Sequence, residues 1–278
     1  MEEVAFAKLN LALHVRDRLP DNYHRIETIF AFVEAGDRLS AAASDTLSLT
    51  ASGPFAASLS TGSDNLVLRA ASALQCRYDV SKGAALHLEK ILPVAAGIGG
   101  GAADAAATLR LLTRLWELPT RGGTLATIAE ELGADVPACL ASRPAWGEGK
   151  GESLVPADGS SIAGLPVLLV NPGVELPTGP VFAAWEGEDR GPLVRGPLFN
   201  AALSGRNDLE MPASRIVPEI SAVIDVLRSV EGAQLVRMSG SGATCFAVFG
   251  EERDRDLAAE RLSGEHPGWW HLATRLRD

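Results

Sequence analysis

Residues 95–101 form a run dense in glycine, and alanine-rich sequence with apolar residues at helical spacing follows at once. Gly97, Gly99, Gly100 and Gly101 let backbone N–H groups face an anion with no Cβ in the way. The first turn of the following helix adds free donors and the favourable end of its dipole. A phosphate is the natural guest of such a turn. Two known phosphate patterns fit poorly. The Walker pattern needs Lys-Ser/Thr after the glycines, and none follows. Gly97, Gly99 and Ala102 satisfy the dinucleotide fingerprint G-x-G-x-x-A, with Glu117 about 20 residues further on as its acid. That fingerprint wants the acid on a second strand, whereas Glu117 closes the same helix. A tight turn for close helix packing is the plainer alternative.

Three other places carry chemistry. Asp135 follows Gly133 and precedes Val136-Pro137. It is either an N-cap with proline in the first helical turn, or a carboxylate that accepts a hydroxyl proton during phosphoryl transfer. Lys8 and Asn10 share the mixed face of the first strand. A solvated lysine is the commoner fate, yet apolar neighbours point to a buried partner, for which Asp135 is the candidate. Tyr23-His24, after the turn Pro20-Asp21-Asn22, suits either the core or a flat heterocycle.

Elements must position these groups. Residues 4–15 alternate, with Ala5, Ala7, Leu9, Leu11, Leu13 and Val15 on one face, which predicts a strand with one buried face. Strands are predicted over 26–33, 46–59, 85–91 and 167–170, with a hairpin over 233–249. Helices are predicted over 64–78, 102–118, 124–132, 180–185 and 218–230. Residues 146–164 are dense in Gly, Ser, Pro and Asp and are expected to cross between halves as a loop, as is 187–197. The pattern gives two α+β domains, placed at 1–155 and 156–278.

Composition limits the partners. With 25 basic and 35 acidic residues, net charge −10, the chain repels polyanions, so nucleic acid and anionic membrane surfaces are not expected partners. A polyphosphate would need a local site of backbone donors and one or two cations. No run of about 18 apolar residues is present. The start, Met1-Glu2-Glu3, lacks a leader's basic opening. Cys76, Cys139 and Cys245 are odd in number and far apart, which indicates neither a disulfide frame nor a zinc site. The expected compartment is the reducing cytoplasm.

Taken together, several blocks resemble the GHMP kinases: Ala7-Lys8-Leu9-Asn10-Leu11, Asp21-Asn22-Tyr23-His24, Asp64-Asn65-Leu66-Val67 and Leu92-Pro93-Val94-Ala95-Ala96-Gly97-Ile98-Gly99-Gly100-Gly101-Ala102-Ala103-Asp104. Further along come Leu132-Gly133-Ala134-Asp135-Val136-Pro137, Asn207-Asp208-Leu209-Glu210 and Ser239-Gly240-Ser241-Gly242-Ala243-Thr244. The Lys8-Leu9-Asn10, Tyr23-His24 and Gly133–Pro137 blocks narrow the likeness to members that phosphorylate the 2-hydroxyl of a cytidine diphosphate-linked methylerythritol, in the non-mevalonate route to isoprenoids.

The resemblance implies an N-terminal half like ribosomal protein S5 domain 2 and a ferredoxin-like C-terminal half, with the site between them. It implies ATP as co-substrate with Mg²⁺, and a monomer or homodimer. Asp135 falls where the family has its catalytic base and Lys8 where it has the partnering lysine. Asn10 and Thr178 would lie near the substrate, Tyr23 and Phe182 would stack on the cytosine, and His24 would hydrogen-bond it. Pro93 through Asp104 would cradle ATP, Asn65 would meet the adenine, and Gly240 and Ser241 would close over it. The chain departs from the family in Ala102-Ala103, where two serines are usual, and in Asn22, where glycine is usual. Asn tolerates positive φ well enough to keep that turn. Kinases for mevalonate or homoserine are the near alternative and would lack Tyr23-His24. A dinucleotide oxidoreductase is the distant one, and an ATP-binding protein without activity is a third.

Overall fold

The computed structural model describes residues 1–120 and 123–278. They form two compact units. The first comprises residues 1–7, 36–94 and 99–142, and the second residues 8–35, 95–98 and 143–278. Two long strands contribute to both: β1 (Glu2–Arg18) and β2 (His24–Ser44), which pair with each other. β2 is far longer than the predicted 26–33. Its continuation past Gly36 carries Asp37, Arg38 and Ser40, which break the apolar pattern but not the strand.

In the first unit, β3 (Leu47–Ser52) runs parallel to β4 (Gly83–Glu89), and β4 pairs antiparallel with residues 38–44 of β2. The predicted strand over 46–59 is therefore shorter. It gives way to a 3₁₀ turn at Ala56–Ser58 after Gly53, whose φ is +94°. Helices α1 (Leu66–Tyr78), α2 (Gly100–Leu115), α3 (Thr124–Leu132) and α4 (Val136–Ala141) complete this unit. Alanines on facing sides let α1 and α2 approach closely: Ala70 and Ala71 on one, Ala103, Ala106 and Ala107 on the other, all buried. Residues 116–118, predicted to extend α2, lie past its end, and Glu117 has φ +55°.

In the second unit, residues 26–30 of β2 pair antiparallel with β5 (Ala145–Gly149), and β5 with β6 (Ser153–Pro156). These two strands correct the loop expected over 146–164. Gly147 there is set by close packing, since its Cβ would lie 2.5 Å from the Phe30 ring. A second sheet has the order β10 (Trp270–Arg275), β7 (Pro166–Asn171), β9 (Cys245–Phe249), β8 (Ala233–Met238), antiparallel throughout. Helices α8 (Glu219–Arg228) and α9 (Glu252–Glu265) pack against it. Ile220, Val223, Ile224 and Leu227 of α8 bury one stripe against Leu168, Val170 and Ala247. Short helices α5 (Thr178–Ala183), α6 (Leu198–Ser204) and α7 (Glu210–Ile216) fill the intervening chain. Among the described residues, no helix is long and apolar enough to cross a membrane.

Arg237 on β8 is buried and donates to the carbonyls of Leu11, Ala202 and Gly205. Burial pulls its pKa down to about 10, so it stays charged at neutral pH. Arg237→Met would keep the apolar stem but leave three buried acceptors without their donor. A loss of about 3 kcal/mol in unfolding free energy is expected by urea denaturation, whereas a change within about 0.5 kcal/mol would contradict the role.

Candidate functional site

The lysine strand is polar where it matters and buried throughout. Lys8 and Asn10 were expected on a mixed face, yet residues 7–15 are buried on both faces. The Lys8 ammonium donates to Asn10 Oδ1 at 2.9 Å and lies 5.2 Å from the centre of the Phe30 ring. Asn10 in turn donates to Thr28 Oγ1 at 2.8 Å, and Thr28 donates to the Ala12 carbonyl at 2.6 Å. This chain of donors fixes the Asn10 amide with its oxygen towards the cation.

The first part of the glycine run belongs to the same unit. Lys8 N–H donates to the Ile98 carbonyl at 3.0 Å, and Thr244 N–H to the Ala96 carbonyl at 3.1 Å. Ser239 Oγ donates to the Gly97 carbonyl at 3.0 Å, and Asn10 N–H to Ser239 Oγ at 3.2 Å. The turn around Gly240 and Ser241 is held from below by Asn207, whose amide donates to the carbonyls of Met238 and Gly240. Gly97 has φ +75°, and a Cβ there would stand 2.4 Å from the Ser239 carbonyl oxygen. Both the dihedral and the space exclude a side chain. Ala95 adopts φ +51° in the same turn, a strained state for a residue with a Cβ.

The remainder of the run opens α2 in the other unit. Gly99 precedes it with φ +65°, and Gly100 and Gly101 are its first residues. Ala103 N–H already bonds the Gly99 carbonyl at 2.8 Å, so the unfilled donors lie at residues before it. The same unit holds Asn65, which caps α1: its side chain accepts from Val67 N–H and donates to the Ser60 carbonyl. Asp135 precedes α4, but its side chain does not cap the helix, so the plainer capping role fails. Pro137 sits in the first helical turn, as the sequence predicts. Glu117 lies on no strand, which removes the basis for the dinucleotide alternative.

An aromatic group forms in the second unit. The His24 ring is 5.1 Å from Phe182, tilted by 33°, and 5.5 Å from Trp185, edge-on. Burial, then the nearby Arg18 charge, lowers the His24 pKa, leaving a neutral imidazole at pH 7. Tyr23 is 57% exposed beside it. The Lys150 ammonium stands 4.2 Å over its ring and 2.6 Å from Asp21. The turn before it holds Asn22 at φ +68°, as anticipated. Thr178, the first residue of α5, meets Ser241 hydroxyl to hydroxyl at 3.0 Å.

Sequence reasoning missed Trp185, Lys150, Lys90 and Asp37. Trp185 follows Phe182 by three residues at the end of a helix, a detectable spacing. Lys90 interrupts the apolar residues Leu88, Ile91 and Leu92, a second signal. Lys150 is far from Tyr23 in sequence and gave no local sign.

Residues 65–143 match the GHMP kinases N terminal domain and residues 195–267 the GHMP kinases C terminal domain. A 4-diphosphocytidyl-2-C-methyl-D-erythritol kinase of Rhizorhabdus wittichii is 53% identical over 99% of this chain and 94% of its own. One of Sphingopyxis alaskensis is also 53% identical, over 100% and 99%. The chain belongs to this kinase family. A crystal structure of 4-(cytidine 5'-diphospho)-2C-methyl-D-erythritol kinase superposes with a TM-score of 0.83 at 34% identity, covering both chains fully. A homoserine kinase of Cytophaga hutchinsonii, at 17% identity and a TM-score of 0.74, shares the fold. The expected α+β GHMP kinase fold is therefore the observed one.

Gly97→Ala is expected to lower the melting temperature by several degrees and to abolish nucleotide binding, because the chain must move to admit the methyl group. A variant that melts and binds ATP like the parent would show that the turn is not held as described.

Proposed function

We propose that this chain transfers the γ-phosphate of ATP to the 2-hydroxyl of 4-diphosphocytidyl-2-C-methyl-D-erythritol, in the non-mevalonate route to isoprenoid precursors. The observation that carries the reading is the 53% identity to kinases of that name along the whole chain.

In this reading the ATP phosphates lie along Pro93 to Asp104, bound chiefly by backbone N–H groups at the start of α2. Gly240 and Ser241 contribute on the phosphate side, and the Asn65 segment meets the adenine. The cytosine stacks on Tyr23 and Phe182, and neutral His24 reads its edge through a ring nitrogen. Thr178 and Asn10 face the rest of the substrate. The substrate hydroxyl oxygen forms the new bond to the γ-phosphorus as the bond to the bridging oxygen of ADP breaks. Asp135 accepts the hydroxyl proton and later returns it to water. The Lys8 ammonium, oriented by Asn10 and Thr28, offsets developing negative charge. Most of the rate enhancement then comes from alignment.

Mg²⁺ belongs to the reading as the ion that accompanies ATP phosphates. The described residues form no dedicated cage for it. Among the described residues no three His, Cys, Asp or Glu side chains gather to hold the ion, and Ala102 and Ala103 offer no side-chain oxygen at the helix start. A cytoplasmic setting and a monomer or homodimer complete the proposal, and light scattering on the purified chain would give the assembly.

The deciding experiment is mass spectrometry of 4-diphosphocytidyl-2-C-methyl-D-erythritol incubated with the protein, ATP and Mg²⁺, with cytidine-free methylerythritol as the parallel substrate. One added phosphoryl group on the first and none on the second is expected. Equal phosphorylation of both would remove the cytidine grip, and no product from either would remove the activity. Asp135→Ala is expected to depress kcat by about 10²–10⁴-fold while ATP binding persists. Full turnover in that variant would remove the base assignment.

A further inference from the structure

Beneath the start of α2 lies a buried ionic cluster whose side chains the reaction as written does not use. Lys90, in the segment after β4, is 2% exposed. Its ammonium stands 2.6 Å from Asp37 Oδ2 and 2.6 Å from Asp104 Oδ2. The cluster abuts the glycine run itself: a Cβ on Gly100 would stand 3.1 Å from Lys90 Nζ and 3.9 Å from Asp37 Oδ2. The two carboxylates are not equally served. Asp37 accepts from Lys90 and from the N–H groups of Ile91 and Leu92. Asp104 accepts from Lys90, while its other oxygen, Oδ1, is buried with no hydrogen-bond partner.

Two carboxylates and one ammonium sum to a net charge of −1 where water cannot screen it. A polyphosphate on the same turn brings further negative charge within the thickness of one backbone. The carboxylate with fewer donors is the one that gains by taking a proton. Burial pushes Asp104 up to about 7; the Lys90 ammonium opposes the rise and the Asp37 charge adds to it. The charged groups facing Asp104 are thus Lys90 and Asp37, in the first from the segment after β4 and in the second from β2. The helices α1, α3 and α4 that also pack on α2 bury apolar residues and Cys139.

We propose that Asp37, Lys90 and Asp104 are positioning residues that hold the glycine turn from behind and balance its charge, so that ATP binding is accompanied by a proton on Asp104. The proposal rests on the reading that ATP phosphates occupy this turn. None of the three touches the transferring group. A purely structural tie would stabilise the fold equally with and without nucleotide, and would give ATP affinity no dependence on Asp104 protonation.

The test is ATP affinity between pH 6 and 8, measured by calorimetry with excess Mg²⁺ on the full chain, for the parent and Asp104→Asn. Asparagine keeps the shape of the carboxylate and removes its charge, and comparing the two proteins cancels the titration of the ligand. Parent affinity should weaken as pH rises through about 7, by up to tenfold per unit for one linked proton. Asp104→Asn should bind with a flat profile. Lys90→Met should weaken ATP binding about tenfold or more, leaving KM for the second substrate unchanged. Identical pH profiles in parent and Asp104→Asn would overturn the proposal even if Lys90→Met fails to fold. A parent that binds ATP but shares its pH profile with Asp104→Asn keeps the phosphate reading and loses only this inference, whereas a parent that binds no ATP at any pH loses both.

Discussion

The glycine turn holds its shape because its carbonyls are met at close approach in the second unit by two backbone N–H groups and one hydroxyl. The carbonyl of Gly97 receives the Ser239 hydroxyl, that of Ala96 receives the Thr244 amide, and that of Ile98 receives the Lys8 amide. Each contact uses an oxygen that a phosphate-binding turn would otherwise leave facing its guest. Turning the carbonyls inward onto protein donors fixes the peptide planes of the turn, and under the proposed reading it leaves their amides to the phosphates. A Cβ at Gly97 or Gly240 would stand within 3 Å of the opposing carbonyl oxygen, so both loops require glycine at the point of approach. The strained φ of Ala95 is held in place by the same set of bonds.

Charge is handled by the same economy of side chains. An acidic chain of net charge −10 must attract a polyanion locally while repelling it at a distance. Backbone donors carry no counter-charge to be neutralised elsewhere, and the cations near the proposed chemistry are buried ones with assigned partners. The Lys8 ammonium is directed by the neutral amide oxygen of Asn10. Lys90 is directed by two carboxylates, which more than cancel it. The two lysines therefore do different work. The first is suited to a charge that develops during reaction, the second to the shape and resting charge of the cradle.

Much of this was legible in the chain. The helical spacing after the glycines, the Thr124–Leu132 helix with Gly133 past its end, and the hairpin over 233–249 appear where periodicity put them. The turn before Tyr23 forms with Asn22 in the left-handed region, since Asn bears that conformation at little cost. Where the pattern misled, the cause was tertiary. Residues 145–156 look like a loop because Gly147 and Gly149 have no side chain to show an alternation, yet Phe30 and Thr28 pack where a Cβ on Gly147 would stand. The far half of β2 carries charged residues that solvent or a buried ion pair accommodates, so its polarity does not end the strand.

The sequence by itself determined most of the helices and the course of the first strand, because these depend on residue type, spacing and local dihedral preference, and its residue blocks resemble those of the kinase family to which the chain belongs. It also singled out Lys8, Tyr23, His24 and Asp135 by type. Only the tertiary structure decided that Lys8 is turned by Asn10, that Trp185 joins Phe182 around His24, that Lys150 covers Tyr23, and that Asp37 and Lys90 meet Asp104. Those pairings join residues up to 161 positions apart, as His24 and Trp185 are (185 − 24). No local preference encodes such a meeting; it follows from which faces the packed strands and helices bring together.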